Sequence, residues 1–123
     1  MLVTVDPSRN EPLFAQLAAS VRSGLVSGTI GPGERLPAAR DLAASLQINV
    51  HTVLRAYAQL RDEGLIELRR GRGATVADTA PDRAALITAL DDLVVAARHL
   101  GIGADAAAEL VRQRFDNPEK EGS

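Results

Sequence analysis

The chain has 123 residues, 14 Lys plus Arg against 16 Asp plus Glu, 46% apolar residues and no cysteine. That length allows one compact domain or a small domain with an appendage. The absence of cysteine excludes disulfides, thiolate nucleophiles and thiolate zinc sites. The formal charge of −2 hides an asymmetry: residues 1–77 carry nine arginines against seven acids, and residues 78–123 five basic residues against nine acids.

Asn10-Glu11-Pro12 opens a first helix, with Pro12 near the position where a missing N–H costs nothing. Phe14, Leu17, Ala18, Val21 and Leu25 follow at helical steps and form one apolar stripe, ending near Ser27-Gly28. Gly31-Pro32-Gly33 is a turn. Pro37 marks the start of a short second helix with Leu42, Ala43 and Leu46 on its apolar face. Asn49 suits the N-cap of a third helix, which turns Val53, Ala56, Tyr57 and Leu60 inward and stops at Gly64. The runs Leu65–Arg70 and Ala74–Ala77, separated by Gly71-Arg72-Gly73, read as a β-hairpin that must pack on the helices before it. Three helices and a hairpin make a winged helix-turn-helix.

From Asp82 the pattern changes. Leu86, Leu90, Leu93, Ala97 and Leu100 fall at steps of 4, 3, 4 and 3, a heptad-like seam that Ile87 and Val94 widen and Gly101 ends. A last helix places Ala107, Leu110, Val111 and Phe115 on one side. The expected organisation is mainly α with a small β-hairpin: a winged helix-turn-helix over 1–77, a two-helix dimerisation region over 78–116 and a flexible tail over 117–123. Two short helices cannot bury so broad an apolar face alone. Folding back onto the first domain is one outcome; pairing with a second copy through Leu86, Leu90, Leu93, Val94, Ala97, Leu100, Leu110, Val111 and Phe115 is the favoured one.

Several segments together carry a family resemblance: Glu11–Leu17, Ser27–Ala43 (with Leu36-Pro37-Ala38-Ala39-Arg40), Asn49–Tyr57, Leu60–Ile66 and Gly71–Val76. In this ordered combination the chain closely resembles the GntR family of bacterial transcriptional regulators, and its short helical remainder resembles the YtrA-type subfamily. The resemblance implies a winged-helix repressor that binds a palindromic operator in double-stranded DNA as a homodimer, with room for control by an unidentified small-molecule effector. It breaks at Ala38, where members often have serine, and at Val50 and Leu54, where some relatives carry arginine.

A recognition helix lays its first turns across base edges while other elements hold phosphates. On that model Asn49, His51, Thr52 and Arg55 lie in the first two turns of the third helix: Asn49 and Thr52 can bond a base or a phosphate, His51 a guanine acceptor or a phosphate, and Val50 can touch a thymine methyl. The resemblance implies a phosphate or base contact at the groove edge for Arg40, with Arg35 a further candidate just before Leu36-Pro37, and Arg70, Gly71, Arg72 and Gly73 form a wing tip that can meet phosphates or a narrow minor groove. The bland alternatives are a simple N-cap for Asn49, a local backbone bond for Thr52 and a surface ion pair between Arg40 and Asp41. No cofactor, metal site or catalytic residue is expected. The adjacent acids Asp91 and Asp92 point to different helix faces, and His51 and His99 have no ligand spacing. The remaining alternative is a winged helix that binds only protein. No signal-peptide pattern and no apolar run near the ~18 residues of a membrane span are present, so a soluble cytoplasmic protein is expected.

Overall fold

The structure, a computed structural model, describes residues 3–71 and 73–117. Its elements are α1 (Leu13–Ser27), α2 (Ala39–Leu46), α3 (Val50–Asp62), β1 (Ile66–Arg69), β2 (Gly73–Val76), α4 (Ala80–His99) and α5 (Ala104–Asp116). The chain divides into two compact units, residues 1–86 and 87–123.

In the first unit α1 and α2 both pack against α3. The stripe read from the sequence is the buried face: Leu17, Val21 and Leu25 of α1 meet a core that includes Val53, Ala56 and Leu60 of α3. Pro12 flanks α1 rather than opening it, and Gly28 ends it with a left-handed φ of 86°. Gln16 is the buried polar side chain of this core. Its Oε1 accepts from the Asp6 amide at 2.7 Å, and its Nε2 donates to the Asp6 and Glu11 carbonyls, which pins the N-terminal segment to α1. At the other end of the pair, Arg22 of α1 bridges to Glu63 beyond α3 at 3.2 Å, with both side chains largely covered.

α2 starts at Ala39, two residues after Pro37, and ends through Gln47 in a left-handed turn. The hairpin is antiparallel, with Ile66 opposite Val76 and Leu68 opposite Ala74. A two-stranded hairpin is marginal alone, and here it has help. The Val76 amide donates to the Glu34 carbonyl, and the amides of Gly33 and Leu36 donate to the carbonyls of Val76 and Ala74. Residues 33–36 therefore line β2 as a short third segment.

α4 begins at Ala80, ahead of the expected Asp82, because Pro81 fits a first helical turn. Its start belongs to the first unit: Ala80 and Ala84 are fully buried and the unit reaches Leu86, past the boundary at 77 that the sequence suggests.

In the second unit Gly101, at φ 71°, separates the remainder of α4 from α5, and the Ile102 amide donates to the Ala97 carbonyl at 2.8 Å. An apolar groove of about 590 Å³ lies between the two helices, lined by residues including Leu90, Leu93, Ala97, Ile102, Ala107 and Val111. α5 has no buried residue.

Candidate nucleic-acid interface

The burial of Val53, Ala56, Tyr57 and Leu60 fixes how α3 is rotated. One face goes into the core, and His51, Leu54 and Arg55 are left on the exposed side, with Val50 and Thr52 half-buried at the flanks. Asn49 caps the helix: its Oδ1 accepts from the His51 amide at 2.8 Å. That bond competes with the bidentate adenine contact the same amide makes in DNA readers, because the oxygen is already engaged. Thr52 makes no side-chain hydrogen bond among the described residues, so its hydroxyl stays available for a donor or acceptor.

Arg55 lies with its guanidinium carbon 3.7 Å from the centre of the Phe14 ring, a cation–π contact that holds its charge over the first turn of α1. Arg40, in the first turn of α2, is exposed and forms no ion pair among the described residues, so the pairing with Asp41 does not occur. The N-terminus of α2 has no side-chain cap, as expected with alanine at 38, and its first amides add partial positive charge beside Arg40. Arg35 is exposed, and its backbone forms an isolated antiparallel bridge with Thr75 of β2.

On the wing, Gly71 and Gly73 take φ values of 78° and 72°, a left-handed region that favours glycine. Arg70 beside them is exposed and unpaired among the described residues, whereas Arg69 holds Glu67 at 2.7 Å. Arg72 lies outside the described residues. The start of α2, the middle of α3 and the wing meet around one open groove of about 450 Å³, lined by Ala38, Ala39, Leu54, Arg69, Arg70 and Gly73 among others. Leu54 and Leu68, 49% and 44% exposed, belong to this surface and were not singled out as site residues by sequence reasoning. The available signal was strand alternation, which puts Leu68 on the same face as the buried Ile66.

Of the residues expected to dimerise, Leu86, Leu90, Val94, Leu100, Leu110, Val111 and Phe115 are exposed. Leu93 is half-buried, and Ala97 is buried within the α4–α5 turn. No cluster of potential metal ligands occurs among the described residues, and no helix there is long and apolar enough to cross a membrane.

A family model described as bacterial regulatory proteins, gntR family, matches residues 13–76, which span the helices and wing just described. The chain belongs to the GntR family. It is 39% identical over 98 residues to the HTH-type transcriptional regulator Rv1152 of Mycobacterium tuberculosis, covering 80% of this chain and 81% of that protein. It is 34% identical over 79 residues to the HTH-type transcriptional repressor YtrA of Bacillus subtilis, covering 64% of this chain and 61% of that one. Among solved structures, YtrA of Sulfolobus acidocaldarius superposes with a TM-score of 0.60 at 28% identity, covering 76% of this chain and 99% of that one. This GntR-family chain is thus a YtrA-type transcriptional regulator with a winged helix-turn-helix DNA-binding domain, and not an enzyme.

Proposed function

We propose that this chain is a repressor that reads a palindromic operator as a homodimer, in the cytoplasm where the chromosome lies. The observation that carries the reading is one open groove shared by the start of α2, the middle of α3 and the wing, with Arg70 in its lining and Arg40 and His51 exposed on the two helices that border it. Arg40, Arg35 and Arg70 hold phosphates; His51 and Thr52, with Val50 beside them, read base edges; Asn49 sets the helix tip; Gly71, Arg72 and Gly73 let the wing approach the minor groove. Arg55, held by Phe14, approaches a phosphate at the edge of the same surface. The first unit, through Leu86, forms the reading domain, and the rest of α4 with α5 forms the dimerisation region. The exposed apolar side chains of α4 and α5 support pairing with a second copy, which doubles the reading head and matches a two-fold site. The apolar groove between α4 and α5 offers a small-molecule effector a place from which to bias that pairing.

The test is a salt-dependent titration of the protein and two variants against a duplex selected from a random-sequence library and against unselected duplex. Arg40→Ala weakens both complexes alike and lowers the salt slope by about one. His51→Ala narrows the gap between the two duplexes, by ~1–3 kcal/mol. Salt-independent binding, or none, leaves the fold as a protein-interaction module.

A further inference from the structure

The groove between α3 and the wing has an apolar floor that the residues assigned to DNA do not use. Leu54 comes from the exposed side of α3, and Leu68 from β1. The position of Leu68 follows from strand alternation: Ile66 and Leu68 share the inner face of the hairpin, opposite the buried Val76 and Ala74. Ile66 is covered by the core, while Leu68, further along, is left 44% exposed over the groove. Pro37 and Tyr57 complete the floor, Arg69 and Arg70 stand at its edge, and the uncapped start of α2 lies at its other side.

We infer that this groove seats the sugar–phosphate backbone of one DNA strand, with Leu54 and Leu68 packed against deoxyribose carbons. The inference rests on the DNA-reading function proposed above. Major and minor grooves of a duplex share one backbone strand as their common wall. A protein with a helix tip in one groove and a hairpin in the next must let that strand cross the surface between them. Here that surface is the Leu54–Leu68 floor. The chemistry matches the strand: its deoxyribose face is apolar, and its phosphates lie at the edges, where Arg70 and the amides of α2 stand. These leucines therefore add affinity that depends neither on base sequence nor on counterion release.

The experiment measures binding of the full-length protein, Leu54→Ala, Leu68→Thr and Arg70→Ala across a salt series, on the selected and unselected duplexes. Both leucines are half exposed, and threonine suits a strand, so the variants keep the fold; thermal unfolding checks this. The expected result is a loss of roughly five- to tenfold for each leucine variant, equal on both duplexes and with the wild-type salt slope. Arg70→Ala instead reduces the slope by about one. A loss confined to the selected duplex, abolished when its thymines are replaced by uracils, overturns the inference in favour of Leu54 reading a base methyl. Wild-type affinity in both leucine variants overturns it outright. Absence of salt-dependent binding by the wild type instead overturns the DNA reading itself, so the two failures are distinguishable.

Discussion

The Tyr57 hydroxyl donates a 2.7 Å hydrogen bond to the Pro37 carbonyl, which ties α3 to the residues leading into α2. The side chain is buried, and burial pushes its phenol from 10.0 up to about 12. Tyr57→Phe keeps the ring packing and removes the bond, so it costs about 1 kcal/mol of stability at neutral pH. The pH dependence has a definite sign. The folded phenol holds its proton more tightly than the unfolded one, so the stability it contributes is whole below pH 10 and is lost as pH rises towards about 12. The phenylalanine variant has no such group, so the advantage of the wild type shrinks and then reverses over that range. Urea titrations from neutral to strongly alkaline pH check this; a wild-type advantage that grows with pH contradicts it. At the same scale, His51 is exposed because its neighbour Val53 takes the buried face of α3. The capping bond of Asn49 was legible as one of two uses for that side chain, and the structure adds its geometry.

At the scale of elements, the seating of α1 depends on a glycine inside the helix. A Cβ on Gly24 falls 2.6 Å from Ile30 Cδ1, and Ile30 is 1% exposed, so its side chain has nowhere to retreat. Helix propensity alone favours Gly24→Ala by about 1 kcal/mol. Overpacking a closed core costs ~1–3 kcal/mol, and the second effect wins because the loop after α1 returns against the helix at this point. The expected outcome is a lower midpoint in thermal or urea unfolding, and a stabilised variant disproves the packing argument. Helices, the hairpin and the glycine stops were legible because each repeats a short period or carries a turn residue. The segment at 33–36 was not: it pairs with β2 through backbone groups, and its side chains show no alternation that marks a strand. The stacking of Arg55 on Phe14 and the groove at Leu54 and Leu68 escaped for a related reason. Each joins residues far apart in the chain, and only tertiary packing brings them together. The start of α4 was misplaced because Ala80 and Ala84 carry too little side chain to announce a buried face.

For the whole molecule, the second unit poses the main energetic question. α5 is 13 residues long with no buried residue, and helices of that length are marginal in water without packing. Leu110 is 51% exposed and Phe115 78%, and Leu90 and Val94 of α4 are exposed as well. Exposed apolar surface of this kind suits an association site, and the homodimer proposed above makes a second copy the partner to test. Leu90→Lys combined with Leu110→Lys places charge in that surface while leaving the first unit untouched, since its core ends by Leu86. Sedimentation at micromolar concentration is expected to give a dimer for the wild type and a monomer for the variant. Binding then separates the two levels of assembly. Affinity for a palindromic duplex falls steeply, because each half-site is held without its neighbour, while affinity for a single half-site stays as in the wild type. A variant that remains dimeric places the pairing surface elsewhere on the chain. A variant that is monomeric yet binds the palindrome as tightly as the wild type shows that each winged domain reads DNA independently of its partner.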